Sequence, residues 1–205
     1  MYKIDKLSLG ELRTNCYIIS DESNNCIIID PGSEYPKIKK LLHDKKPLAI
    51  LLTHGHYDHI GAVDELYNDY QLPVYLHKED EEIVRTANNS AFKKGISLKC
   101  PVNYFDFNKI QINDFEFKIY HKPGHSPGCV MYEIEGYLFS GDVLFKESIG
   151  RYDLYGSSAK DMMKSLRIFP NLNPDLIVLP GHGENTRIAD ELISNPFLNG
   201  LINKL

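Results

Sequence analysis

The chain has 205 residues, 42% hydrophobic and 25% charged, with a formal net charge of −5. That length suits one domain, expected here over residues 1–205, with a core of two or more layers. The acidic balance argues against a nucleic-acid binder held by a broad basic face. No apolar run approaches the roughly 20 residues that span a bilayer. The opening MYKIDKLSLGEL lacks the basic, apolar and small-residue zones of a signal peptide, so a cytoplasmic location is expected.

In chain order, KIDKLSL, NCYIIS and CIIID read as strands, with the turn cluster DESNN between the last two and Pro31-Gly32 ending the third. YPKIKKLLHDKK reads as a helix, with Pro36 near its start and Ile38, Leu41 and Leu42 at helical spacing. LAILLT is an apolar strand. GAVDELYNDY puts Val63, Leu66, Tyr67 and Tyr70 on one helical face; PVYLH is a strand and KEDEEIVRTANN a polar helix. Residues 88–105 read as loop or irregular helix. The second half repeats the grammar: FEFKIYH, CVMYEI, YLFSG and DLIVLPG are strands, with a tight turn at Glu135-Gly136, and AKDMMKSLRIF and RIADELIS are helices. Each half runs strands first and then a strand–loop–helix unit. That order suits two sheets packed face to face with helices outside, a four-layer αββα sandwich. Cys16, Cys26, Cys100 and Cys129 show no C-x-x-C spacing and are expected to stay free.

One stretch breaks the pattern of strands and helices. LLTHGHYDHIGA crowds His54, His56, Asp58 and His59 onto a single strand-to-helix turn. In extended chain His54 and His56 point to the same side, so both imidazoles can reach one ion. Asp58 and His59 begin the helix and aim at a neighbouring point. Burying four such side chains without a metal would be costly. Further ligand types sit at similar junctions: His125 in HKPGHSPG, Asp142 in FSGDVLF and His182 in VLPGHGENT, all where loops leave strand ends. Five histidines and two aspartates form a donor set for two borderline metal ions. His43, His77 and His121 lack this context and read as structural or supporting residues.

THGHYDHIGA, PGHSPG, SGDVLF and PGHGENT, in this order, resemble the metallo-β-lactamase superfamily of αββα hydrolases. Within it the resemblance is to the glyoxalase II (hydroxyacylglutathione hydrolase) branch, from about NCYII to NPFL. The resemblance implies that His54, His56 and His125 hold a first divalent metal and Asp58, His59 and His182 a second, with Asp142 bridging them. Zinc is the default, with iron and manganese as alternatives. Antibiotic-hydrolysing relatives typically carry a cysteine where Asp142 stands, which argues against lactam cleavage. The chain ends 23 residues after His182, so it is similar to a short form without the helical extension of longer glyoxalase II enzymes.

The implied chemistry is thioester hydrolysis, of S-D-lactoylglutathione or another thiol-carrier thioester. Two cations about 3.5 Å apart share a water, draw its pKa toward ~7 and present a bridging hydroxide to the carbonyl carbon. Asp58 both ligates and orients that hydroxide, and Arg151 binds a carboxylate of the thiol carrier. Two other readings stay open within the superfamily: an iron-dependent persulfide dioxygenase and a lactone hydrolase. An RNA-processing role is disfavoured by the acidic balance, and a non-catalytic metal-binding role by the filling of all seven ligand positions. The expected partner is a small thioester, without nucleic acid or membrane; the oligomeric state is not fixed by the sequence.

Overall fold

The computed structural model describes residues 2–90 and 95–199. The chain forms two compact units, Met1–Asp106 and Phe107–Leu205, each built on its own mixed six-stranded sheet.

In the first unit, β1 (Lys3–Leu9), β2 (Thr14–Ser20) and β3 (Asn25–Ile29) form an antiparallel meander. The turn between β2 and β3 is shaped by Asp21, whose Oδ1 accepts from the backbone N–H groups of Ser23 and Asn25. Helix α1 (Tyr35–Leu41) then crosses to β4 (Lys46–Leu51), parallel to β3. The short helix α2 (Tyr57–Ile60) and α3 (Val63–Tyr70) lead to β5 (Val74–His77), parallel to β4. A single 3-10 turn and α4 (Glu81–Thr86) precede β6 (Val102–Phe105), parallel to β5 at the sheet edge. One core of this unit gathers Ile18, Ile28, Ile50, Leu66 and Val74, all fully buried.

In the second unit, β7 (Lys109–Ile112), β8 (Phe115–His121), β9 (Val130–Ile134) and β10 (Tyr137–Gly141) run antiparallel. Alternation is clean in β8, where Phe115, Phe117 and Ile119 are buried while Glu116 and Lys118 are exposed. Glu135 and Gly136, both at positive φ (40° and 86°), make the two-residue turn between β9 and β10. A small hairpin, β11 (Leu144–Phe145) and β12 (Ser148–Ile149), precedes α5 (Ala159–Ser165). The chain returns through β13 (Ile177–Pro180), parallel to β10, and ends in β14 (Thr186–Arg187) and α6 (Ile188–Ser194). Met131, Leu138, Leu166, Phe169 and Val178 lie in a core of this unit.

Two expectations need correction. Residues 102–105, expected as loop or irregular helix, are the edge strand β6: its pairing with β5 supplies the order that VNYF, with Asn103 and Tyr104 exposed, does not announce. Residues 91–94 of the same stretch lie outside the described residues. The helix expected over AKDMMKSLRIF is α-helical only to Ser165 and continues as a 3-10 segment, Leu166–Asn171. Pro170 lies inside that segment, and an α-helical turn there would drive its ring into the carbonyl four residues back. Among the described residues, no helix is long and apolar enough to cross a membrane.

All four cysteines are free, and Cys16, Cys26 and Cys129 are buried. Burial pushes the Cys26 thiol up to about 12 and raises that of Cys16 as well. Cys100 is raised to about 12 by burial and then by its contact with Asp64. At pH 8 all three therefore stay protonated and unreactive. A disulfide-exchange reagent is expected to react slowly and with at most one thiol of the native protein, and with all four in denaturant; rapid native labelling of several thiols would contradict this burial.

Candidate functional site

In the first unit the candidate residues sit just beyond the C-terminal end of β4. His56 stands immediately before α2 with extended backbone, and Asp58 and His59 occupy the first turn of that helix. The His54 and His56 ring centroids are 4.7 Å apart, and those of His54 and His59 4.1 Å. All three imidazoles are buried. Asp58 Oδ2 lies 3.5 Å from His59 Nε2 and accepts a hydrogen bond from Thr14 Oγ1 at 2.7 Å.

A residue that the sequence reading passed over organises this group. Asp30 follows β3 with a positive φ of 50°, a conformation that aspartate tolerates better than most residues. Its Oδ1 accepts from the Thr53 backbone N–H at 2.8 Å, and its Oδ2 from Thr53 Oγ1 at 2.6 Å. His59 Nδ1 also reaches Oδ2, at 2.9 Å. The Thr53 hydroxyl proton points to Asp30, so the same oxygen, 3.1 Å from His54 Nδ1, is left to accept. Both imidazoles then carry their proton on Nδ1 and their lone pair on Nε2. One buried carboxylate thus sets the tautomer of two histidines, as carboxylates do behind metal-ligating imidazoles. Asp30, His54 and His59 offer ligand atoms within 4.8 Å of one another. With three hydrogen bonds already accepted, Asp30 acts as the orienting member. The signal that could have found it is a carboxylate at the C-terminal end of an apolar strand, next to the strand that carries Thr53. A second buried carboxylate, Asp80, accepts from the Gly55 backbone N–H at 2.8 Å and fixes the turn between His54 and His56.

In the second unit His125 lies between β8 and β9, Asp142 directly after β10 and His182 after β13. Asp142 Oδ2 is 3.3 Å from His125 Nε2 and 3.5 Å from His182 Nε2. His125 Nδ1 donates to the Arg151 carbonyl at 2.7 Å, which again assigns the lone pair to Nε2. The Phe145 ring meets His182 edge-on, with centroids 5.8 Å apart. The Arg151 guanidinium is half-exposed and forks onto Asp153, Nε to Oδ1 at 2.8 Å and Nη2 to Oδ2 at 3.0 Å. That pairing holds the Asp153 carboxyl below the usual carboxylate range.

These separations suit metal donors better than hydrogen-bonded pairs. Charge-assisted N–H···O contacts fall at about 2.7–2.9 Å, whereas two donors each about 2.1 Å from a tetrahedral ion stand about 3.4 Å apart. In each unit, imidazole Nε2 atoms and carboxylate oxygens are spaced 3.3–3.5 Å apart. Imidazole and carboxylate are the donors that borderline divalent cations select. Each unit also presses a glycine against the carbonyl of its aspartate: a Cβ on Gly32 would lie 1.7 Å from the Asp58 oxygen, and one on Gly150 1.9 Å from that of Asp142. Only a bare Cα fits there. Of the three histidines set aside, His43 is exposed, His77 is buried at the end of β5, and His121 is exposed with Nε2 2.8 Å from the Pro127 carbonyl.

Donor types, strand-end placement and chain order together define a family. A family model described as the metallo-β-lactamase superfamily matches residues 9–182, and the chain belongs to that superfamily. It has the superfamily's fold, α/β with two mixed sheets and helices. It is 33% identical over 208 residues to hydroxyacylglutathione hydrolase GloC of Haemophilus influenzae, covering 96% of this chain and 98% of that one. Two solved structures are similar. The BLEG-1 B3 metallo-β-lactamase has 36% identity and a TM-score of 0.89, over 97% of this chain and 100% of that one. TTHA1623 in a di-iron-bound form has 38% identity and a TM-score of 0.84, over 95% and 100%.

Replacing Asp30 by asparagine puts an amide N–H or a weaker acceptor against Thr53 and His59. Metal affinity is expected to fall about 10- to 100-fold, measured by competition with a chromogenic chelator. Secondary structure by circular dichroism should be unchanged.

Proposed function

We propose that this chain is a metal-dependent hydrolase that cleaves thioesters of a small thiol carrier, with S-D-lactoylglutathione as the reference substrate. The observation that carries the reading is the Asp142 carboxylate oxygen standing 3.3 and 3.5 Å from two imidazole nitrogens. Its likeness to a relative named hydroxyacylglutathione hydrolase supports the choice of substrate. In this reading His54, His56 and His125 would hold one divalent cation and Asp58, His59 and His182 a second, with Asp142 available to both. Zinc suits these donors, and the di-iron form of a relative supports iron as an alternative.

Bound there, the cations supply Lewis acidity, lowering the pKa of water toward neutrality and polarising a carbonyl. The chain's own residues do the rest. Asp30 keeps the Nε2 lone pairs of His54 and His59 available by holding the protons on Nδ1. The Arg151 carbonyl does the same for His125. Asp58, one oxygen already tied to Thr14, accepts a hydrogen bond from the attacking water and aims it at the thioester carbon. The departing thiolate is a good leaving group and needs little help from a general acid. Arg151 receives a carboxylate of the thiol carrier by exchanging its exposed partner Asp153, a small cost for a surface pair.

The experiment combines elemental analysis with a turnover screen of S-D-lactoylglutathione, simple thioesters and lactones. A β-lactam is included because the similar BLEG-1 structure is that of a B3 metallo-β-lactamase, and oxygen uptake with a glutathione persulfide tests the dioxygenase alternative. Thioester turnover is expected to dominate. Asp142→Ala and His54→Ala should each lose bound metal and about a thousandfold in kcat/KM. Activity that survives loss of the metal would overturn the reading.

A further inference from the structure

A cavity of about 480 Å³ opens in the first unit beside Asp58. It lies between the β1–β2 turn, the loop before α1, and α2. Its lining includes Leu9, Leu12, Tyr57 and Ile96. Leu9 is buried and Ile96 packs against the core, whereas Leu12 is 40% exposed and stands at the mouth. The polar residues of its lining are Glu11, Glu34 and Asp58, with Ser33 the one aliphatic hydroxyl among them. Glu34 is kept ionised by Lys37, 2.6 Å away, and by the Gly10 N–H, 2.9 Å away.

We infer that this cavity takes the acyl half of the substrate, and that the acyl group is an uncharged, apolar chain of medium length. The inference rests on the hydrolase reading above and narrows it. A lactoyl group would fill a small part of a space in the size range of whole drug-like ligands. The apolar walls favour methylenes over hydroxyls, and the Glu11 and Glu34 carboxylates, which hold no metal cation in the hydrolase reading, repel an acyl group that ends in its own carboxylate. Because Asp58 lines the cavity, a chain lying along Leu12 and Ile96 brings its carbonyl end toward the residue assigned to orient the attacking water.

The test uses S-(2-oxoalkyl)-N-acetylcysteamines, in which a methylene between sulfur and carbonyl prevents hydrolysis, alongside the corresponding thioesters. Calorimetric affinity of the analogues is expected to rise about fourfold per added methylene until the space is full. An analogue ending in a carboxylate should bind about tenfold more weakly than its uncharged equivalent of the same length. Leu12→Ser, at an exposed turn position that should leave folding intact, is expected to cut the gain to about twofold or less per methylene. Thioester kcat/KM should follow the same series. Affinity indifferent to chain length, or equal for the charged analogue, would overturn the inference. Chain-length-dependent binding without turnover of any thioester would keep the apolar cavity and overturn hydrolysis instead. Turnover with no dependence on chain length would overturn the cavity's role alone.

Discussion

Three hydrogen bonds to one buried carboxylate determine what the first unit can do chemically. Asp30 accepts from the Thr53 amide, the Thr53 hydroxyl and His59 Nδ1, and through that hydroxyl also governs His54. An imidazole is a metal ligand only through a nitrogen that carries a lone pair. Without Asp30 each ring could place its proton on either nitrogen, and the loop would hold a mixture of tautomers. The strained backbone of Asp30 keeps its side chain under the histidine loop, and the parallel pairing of β3 with β4 brings the two strand ends together.

The second unit reaches the same end by a different route. His125 gives its Nδ1 proton to a main-chain carbonyl, that of Arg151, and the loop bearing Arg151 lies close because Gly150 has no side chain to keep it away from Asp142. In both units the donors lie past the ends of strands, where the backbone is free to turn while the sheet holds its origin fixed. In each unit the sheet supplies rigidity and the loops carry the donor side chains.

Much of this was legible in the sequence. The spacing of His54, His56, Asp58 and His59 announced a ligand cluster, and alternation announced strands such as β8. Asp30 was not legible, because an aspartate before Pro-Gly reads first as a turn residue; its role appears only when β3 lies beside β4. Strand β6 was hidden for a related reason: an edge strand with exposed Asn103 and Tyr104 lacks the apolar run of a central one, and its order comes from pairing with β5. Nor could the sequence reveal that Arg151 already has a partner in Asp153 and that its carbonyl, as much as its guanidinium, bears on the candidate site.

That fork between Arg151 and Asp153 has a consequence for how the protein would sense ionic strength. Where recognition of a carboxylate substitutes one anion for another on the same guanidinium, dissolved salt weakens the old pair and the new one alike. The two effects oppose each other in the exchange equilibrium. In the proposed reading, Michaelis constants for anionic thiol carriers would therefore vary little from dilute buffer to cellular salinity, and removing Asp153 would restore the steep salt sensitivity of an arginine that begins unpaired.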